Sequence, residues 1–184
     1  YRAKDQGRGT FCFFDSTMLD DSVQRLSMES QIRKAFENDE FKLVYQPQIC
    51  LESNEMCGNE ALIRWKHNDK IVPPNEFLPV VEEIGLMNQL SEIVLRQSCE
   101  QNAVWQEMGY TPPPIAVNLP ASFIIQPNCV QIIREVLAVS ELSPELLEIE
   151  ITENTFVAST DKTIQTLKQL KEMGIGIAID DFGT

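Results

Sequence analysis

The sequence is poor in basic residues and in histidine. It has 15 Lys and Arg against 28 Asp and Glu, a single His, and a formal net charge of −13 at pH 7. Binding to the backbone of a nucleic acid depends on clustered Lys and Arg, so this composition argues against a nucleic-acid polymer as partner. No apolar run approaches the roughly 18 residues of a membrane-spanning helix, and no signal peptide is recognisable. The excess of acid fits a solvated surface and leaves room for a carboxylate-rich cation site.

The cysteines do not form the pattern of a disulfide-linked or zinc-binding protein. The five cysteines are odd in number and form no C-x-x-C pair. This pattern predicts free thiols in a reducing compartment, and therefore a cytoplasmic location. The first residue is Tyr rather than Met, which we interpret as a chain cut at both ends. Under that interpretation an upstream membrane anchor or sensor would belong to the longer polypeptide.

An alternation of strands and helices predicts an α/β fold. A helix with a narrow apolar stripe is expected over 20–38, followed by two strands around the polar turn ESNE. Further strands then alternate with amphipathic helices, as in consecutive βα units around a parallel sheet. From the residues alone, a doubly wound sheet and a (β/α)8 barrel both remain open. The predicted strands are 41–49, 58–65, 115–119, 146–152 and 175–180, and the main helices between them are 90–109, 128–138 and 160–173.

Polar residues recur on one face of each predicted strand. Residues two apart share a face, so the acids and amides of a strand can be separated from its apolar residues. Because parallel strands are covered on both sides, this pattern is hard to explain by exposure to solvent. Active sites of parallel α/β folds lie at the C-terminal ends of the strands, so we expect these side chains to converge there. The residues concerned are Glu60, Arg64, Asn118, Glu148, Glu150, Thr152 and Asp180.

Carboxylates and an amide without Cys or His partners indicate a hard cation such as Mg²⁺ or Mn²⁺. Two such ions bridged by an aspartate are a common arrangement for hydrolysing phosphodiesters. The alternative is that the polar residues merely fringe the strand ends in loops. Glu148 shares the face of Glu150 but lies deeper in its strand, and we expect it to be buried with a structural partner.

Five ordered motifs carry a resemblance to a known family. They are YQPQICLESNEMCGNEALIRW, PPNEFLPVVEEIGL, AVNL, LEIEITEN and IAIDDFGT, and in this order and spacing they resemble the EAL family of cyclic di-GMP phosphodiesterases. The resemblance covers residues from about 24 to the last one. Residues 1–14 are similar to the C-terminal tail of a GGDEF (diguanylate cyclase) domain. The expected organisation is a GGDEF remnant over 1–20, a linker helix over 21–40 and the N-terminal portion of an EAL domain over 41–184.

The resemblance implies the N-terminal part of a TIM-barrel-like (β/α)8 fold. It also implies metal-dependent hydrolysis of cyclic di-GMP to pGpG with two Mg²⁺ or Mn²⁺ ions, two of whose ligands are the catalytic aspartates Asp180 and Asp181. Gln46 and Arg64 would bind the substrate, and Glu153 would anchor a neighbouring loop. The full set of implied metal ligands is Glu60, Asn118, Glu150, Asp180 and Asp181.

The same resemblance places a catalytic lysine and a glutamate base beyond Thr184. We therefore expect this chain to be inactive by itself, while the intact domain is an enzyme. A non-catalytic cyclic di-GMP receptor and a scaffold that keeps only the fold are the alternatives. The expected partners are cyclic di-GMP and an upstream GGDEF or sensor domain of the same polypeptide, and a homodimer remains open.

Two shorter motifs point elsewhere and are rejected. The DFG at 181–183 occurs in kinases, but the glycine-rich loop, the strand lysine and the H-R-D motif are missing. The GIG at 174–176 does not continue into the G-x-G-x-x-G of a dinucleotide-binding turn, since position 179 is Ile.

Overall fold

The protein forms a six-stranded sheet flanked by helices, in a computed structural model that describes residues 16–152 and 161–180, with side chains from residue 25 onwards. The strands are β1 (Phe41–Ile49), β2 (Met56–His67), β3 (Lys70–Val72), β4 (Ile115–Asn118), β5 (Leu147–Thr152) and β6 (Gly176–Asp180). The helices are α1 (Ser16–Glu37), α2 (Pro74–Glu83), α3 (Met87–Glu107), α4 (Ala121–Ile124), α5 (Cys129–Val139) and α6 (Asp161–Glu172), and Pro144–Leu146 form one turn of 3₁₀ helix.

The strand order of the sheet is β1-β2-β4-β5-β6, with β3 paired to β2. The pairs β2–β4, β4–β5 and β5–β6 are parallel, whereas β1 and β3 are both antiparallel to β2. The predicted α/β class is confirmed. Among the described strands the parallel order follows the chain without reversal, as in a barrel and unlike a doubly wound sheet, whose order reverses at a switch point.

The sheet is strongly curved. The side chain of Gln48 on β1 comes close enough to the carboxyl group of Glu150 on β5 to lower its pKa, although two strands lie between them. Three strand spacings amount to about 14 Å in a flat sheet, which is more than these two side chains can span. The face that carries both residues is therefore concave, as expected for part of a barrel wall.

The convex face packs against the helices. Residues of β4 and β5 that point outwards are fully buried, namely Ile115, Val117, Leu147 and Ile149, with Ile151 at 1% exposure. They join one hydrophobic cluster with Leu95 and Cys99 of α3, Ile133 and Leu137 of α5, and Leu170 of α6. This apolar cluster orients the strands so that every second side chain faces the concave side.

A second hydrophobic cluster joins α1 to the sheet. Ile32 and Ala35 of α1 are fully buried and lie in one cluster with Phe41, Trp65 and Phe77. An ion pair between Arg25 and Glu83 links the same helix to α2. The narrow apolar stripe predicted for this helix is confirmed, and its backbone begins at Ser16, four residues before the predicted start.

Strand β2 is longer than predicted at both ends. It runs from Met56 to His67, because β1 pairs with it from Met56 to Trp65 and β3 pairs with its last three residues. Neither β3 nor the four-residue helix α4 was predicted, since such short elements carry too few residues to show a period. No helix among the described residues is long and apolar enough to span a membrane.

The junction between α1 and β1 is fixed by Glu40. Its Oε2 accepts a hydrogen bond of 2.9 Å from Nε1 of Trp65 and lies 2.8 Å from Nδ1 of His67. The hydrogen bond from His67, helped by that from Trp65, holds the pKa of the Glu40 carboxyl below its usual range. Trp65 is almost completely buried, so Glu40 also supplies the acceptor that its indole N–H requires.

We expect Glu40→Ala to lower the free energy of unfolding by about 1–2 kcal/mol at neutral pH, because the buried indole N–H loses its acceptor. The folded-state pKa of Glu40 is lowered, so its contribution is present at neutral pH and is lost as the pH falls through that pKa. Urea unfolding of both proteins at pH 7 and at pH 3.5 measures the difference. The exposed Glu52→Ala is the control, and an equal effect of the two substitutions would contradict the role of Glu40.

Candidate metal and substrate site

Glu60 lies on the concave face beside the first predicted substrate residue. In the antiparallel pair it stands opposite Gln46 of β1, and in the parallel pair it aligns with Ala116 of β4. Directly paired residues point to the same side of a sheet, so Gln46 and Glu60 share this face. The small side chain of Ala116 leaves the space beside Glu60 open.

Asn118 and Glu150 extend the same face across the next two strands. They are direct register partners in the β4–β5 pair, and Asn118 Nδ2 donates a hydrogen bond of 2.9 Å to Glu60 Oε1. Asp180 aligns with Thr152, two residues beyond Glu150, and so has the same parity. The structure thus brings Glu60, Asn118 and Glu150 together at neighbouring register positions, with Asp180 at the end of the adjacent strand.

The carboxylates of this face repel one another. Burial, followed by the charges of Glu60, Asp180 and Glu148, raises the pKa of Glu150 to about 7, and only the hydrogen bond from Gln48 opposes the rise. Glu150 is 9% exposed, so little water reaches it to screen these charges. Because these carboxylates destabilise one another's negative charge, a cation placed among them is favoured.

The donor set fits a hard divalent cation in its chemistry. Its groups are carboxylates and one amide oxygen, the ligand types preferred by Mg²⁺ and Mn²⁺. Within residues 16–152 and 161–180, however, no three acidic, Cys or His side chains converge closely enough to hold a metal ion. Asp181, the fifth implied ligand, lies outside the described residues, and Asn118 supplies an amide rather than an acid. The described ligands therefore have the right chemistry for a divalent cation, but they do not surround a binding position for one.

Arg64 occupies the same face, four residues beyond Glu60. It stands opposite Lys42 of β1, and its Nη1 donates a hydrogen bond of 2.8 Å to the carbonyl of Ile63. Two cations at directly opposed positions are unfavourable unless an anion lies between them. The contact between Arg64 and a phosphate stays a prediction, and the register adds Lys42 as a second cation at the same level, which the motif comparison did not single out.

Glu148 lies deeper on the concave face than Glu150, but among the described residues it is half-buried and no hydrogen bond or ion pair is seen for its side chain, so the predicted burial with a structural partner is not borne out. It is half-buried between Ala116 and Gly176, and a Cβ at position 176 would stand 3.0 Å from its Oε2. The glycine therefore leaves room for this carboxylate. Glu153, the predicted loop anchor, lies outside the described residues, so its role stays a prediction.

Gln48 is the site residue that sequence reasoning missed. It shares the parity of Gln46 on β1, so the alternation used to group the acids would also have placed it on the concave face. Its contact with Glu150, by contrast, depends on the curvature of the sheet, which a strand pattern does not reveal.

Comparison with known proteins identifies the family to which this chain is similar. A family model described as "EAL domain" matches residues 29–184. The chain is 40% identical over 185 residues to the "Bifunctional diguanylate cyclase/cyclic di-GMP phosphodiesterase MucR" of Pseudomonas aeruginosa, covering all of this chain and 27% of that protein. It is 34% identical over 185 residues to the "Cyclic di-GMP phosphodiesterase NbdA" of the same organism, again covering all of this chain and 24% of that protein.

The fold has a solved counterpart. The structure "PaMucR Phosphodiesterase, c-di-GMP complex" superposes with a TM-score of 0.81 at 38% identity, over 86% of this chain and 64% of that one. The predicted TIM-barrel-like fold is confirmed by this match. The chain spans about a quarter of the length of the curated relatives it matches.

We expect Glu150→Gln to stabilise the metal-free chain at alkaline pH. The folded-state pKa of Glu150, about 7, lies above the ordinary value of 4.5, so the cost of its charge is absent below pH 4.5 and complete above pH 7. After allowance for residual solvent the gain is about 1 kcal/mol at pH 8, or about 2–4 °C in Tm.

Thermal unfolding in the presence of EDTA at pH 8 and pH 4.5 measures this gain. Glu172→Gln, on the exposed surface of α6, is the matched control for removing one negative charge. A Tm for Glu150→Gln at or below that of the control at pH 8 would contradict the proposed repulsion.

Proposed function

The chain belongs to the EAL domain family. We propose that it supplies residues that bind the metal ions and the substrate phosphate in a cyclic di-GMP phosphodiesterase, which forms linear pGpG. The observation that carries the proposal is the row formed by Glu60, Asn118 and Glu150 on the concave face, joined by the hydrogen bond between Asn118 and Glu60. The relatives named as cyclic di-GMP phosphodiesterases support the choice of substrate.

We assign the described residues to two tasks. Glu60, Asn118, Glu150 and Asp180 hold the divalent cations, Mg²⁺ or Mn²⁺, with Asp181 and Glu153 assigned as ligand and loop anchor by the family resemblance alone. A cation bound by these oxygen ligands supplies Lewis acidity towards the phosphate and lowers the pKa of bound water.

The second task is to hold the substrate. Arg64 offers a planar fork of N–H donors that suits two phosphate oxygens, and its partner Lys42 adds positive charge at the same level. Gln46, opposite Glu60, shares the concave face with these residues, and its amide can hydrogen-bond the nucleotide. Along the strands of the concave face, the positive groups therefore lie beside the acids. The positive groups can bind the phosphodiester, and the acids can bind the cations that accompany it.

An enzyme is favoured over a receptor by the composition of this face. A protein that only binds cyclic di-GMP needs Arg64 and Gln46, but it does not need four oxygen ligands held together against their own repulsion. Retaining that costly arrangement is explained by catalysis in the longer polypeptide. For this chain by itself we propose binding without turnover, because the lysine and the glutamate base implied by the resemblance are not among its residues.

The remaining proposals concern the longer polypeptide. We propose that residues 1–20 close a GGDEF domain and that 21–40 connect it to the EAL portion over 41–184. On the same grounds of family resemblance we propose a cytoplasmic location, an upstream sensor domain and a homodimer. None of these three proposals rests on the concave face described above.

The catalytic proposal is tested with Asp180→Asn in the longer polypeptide. Loss of one negative ligand should reduce pGpG formation by roughly 100-fold or more, because the cation is then held less tightly and polarises the phosphate less. Chromatography of the products in Mn²⁺ buffer gives the rate, and exposed Asp161→Asn on α6 is the control. Full turnover by the variant would overturn the assignment, as would pGpG formation by residues 1–184 alone at the rate of the longer protein.

The substrate assignment is tested with Arg64→Lys. Lysine keeps the charge but loses the two-pronged geometry, so we expect affinity for cyclic di-GMP to fall by about tenfold. Titration calorimetry of the chain with cyclic di-GMP measures this loss, with exposed Arg96→Lys on α3 as the matched control. Equal affinities of the two variants would assign Arg64 to the sheet rather than to the ligand.

A further inference from the structure

We propose that Gln48 is a positioning residue for Glu150, which it reaches across a gap that Gly58 keeps open. The inference deepens the function proposed above and rests on it, since it concerns how one metal ligand is held. It assigns a role to a glutamine and a glycine on the antiparallel hairpin, away from the C-terminal ends of the parallel strands.

The hairpin register places the two residues opposite each other. Gln48 of β1 pairs with Gly58 of β2, and the next pair is Ile49 with Met56, so Cys57 is an extra residue in β2. Such a bulge changes the local twist and redirects neighbouring side chains. Here the Sγ of Cys57 lies 3.5 Å from the backbone carbonyl of Gln48, so the bulge also contacts the strand that carries the amide.

Gly58 is where the Gln48 side chain crosses β2. A Cβ built on Gly58 would stand 2.3 Å from Oε1 and 3.3 Å from Cδ of Gln48, so the amide occupies the volume that any other residue would fill. Gly58 is buried, and its backbone does not adopt the left-handed conformation. The need for glycine at this position is therefore the space above its Cα.

The amide ends at the carboxyl group of Glu150. Gln48 lowers the pKa of Glu150, as an amide N–H does when it donates to the charged carboxylate. Each carboxylate oxygen has two lone pairs, so the ligand keeps acceptor capacity for a cation while the amide fixes its orientation. Outer-shell hydrogen bonds of this kind orient metal ligands and are worth about 10–100-fold in metal affinity.

A neutral donor suits this position better than a charged one. Glu150 already faces the charges of Glu60, Asp180 and Glu148, and a lysine or arginine in place of Gln48 would neutralise the charge that attracts the cation. The amide restrains the side chain without competing with the metal for its charge. That property distinguishes a positioning residue from one that only fills space.

The test is a double-substitution cycle on Mn²⁺ affinity. Gln48→Ala and Gly58→Ala, introduced singly, should each weaken Mn²⁺ binding by about tenfold, the first by removing the amide and the second by displacing it. The double variant should also be about tenfold weaker and not about hundredfold, because Gly58→Ala has no amide left to displace. Val44→Ala, on the same strand and face, is the control and should leave the Mn²⁺ affinity unchanged.

The affinity is measured by electron paramagnetic resonance of free Mn²⁺, with thermal unfolding in EDTA to confirm that each variant is folded. Additive effects of the two substitutions, or single variants that bind as the unsubstituted chain does, would overturn the inference while leaving the metal site in place. Failure of the unsubstituted chain to bind Mn²⁺ would overturn the metal site and, with it, the role of Gln48. If the loss of Mn²⁺ affinity in each variant matches its decrease in Tm, whether or not the amide is present, the role of Gln48 is purely structural and the inference fails.

Discussion

Electrostatic repulsion on the concave face of the sheet is the constraint around which the structure is organised. Glu150 is nearly buried and surrounded by the charges of Glu60, Glu148 and Asp180, which no arrangement chosen for stability alone would bring together. The apolar convex face offsets this cost by fixing the strands against three helices. Small residues at Ala116 and Gly176 leave space for the acids, and neutral amides supply hydrogen bonds between them.

The two faces of the sheet have different roles, since the convex face stabilises the fold and the concave face carries the groups that bind ligands. Fully buried Ile115, Val117, Leu147 and Ile149 belong to the cluster on the convex side and have no part in binding a cation. The concave side holds polar groups whose positions follow from strand register alone. Substitutions on the first face therefore act on folding, and those on the second act on ligand affinity, although the alternating residues are chain neighbours.

Much of this could be predicted from sequence because the period of a strand determines which residues share a face. The alternation places Glu60, Asn118, Glu150 and Asp180 on shared faces, and the family motifs indicate a cyclic dinucleotide as the ligand. Contacts that depend on curvature were not accessible in this way, and the bond from Gln48 to Glu150 is the main example. The short strand β3 was missed because three residues cannot establish a period, and the sharing of Glu40 by Trp65 and His67 was missed because tertiary packing brings those side chains together.

Three contacts, two within α1 and one just after it, fix the rotational position of the helix on the sheet. Arg25 pairs with Glu83 near the middle of the helix, Ile32 and Ala35 are buried in its C-terminal part, and Glu40 is hydrogen-bonded to β2 just beyond that end. A turn of the helix by one residue is about 100°, which would bring the buried stripe into solvent and break the ion pair. The C-terminal half of α1 is thus docked on the sheet in one angular position.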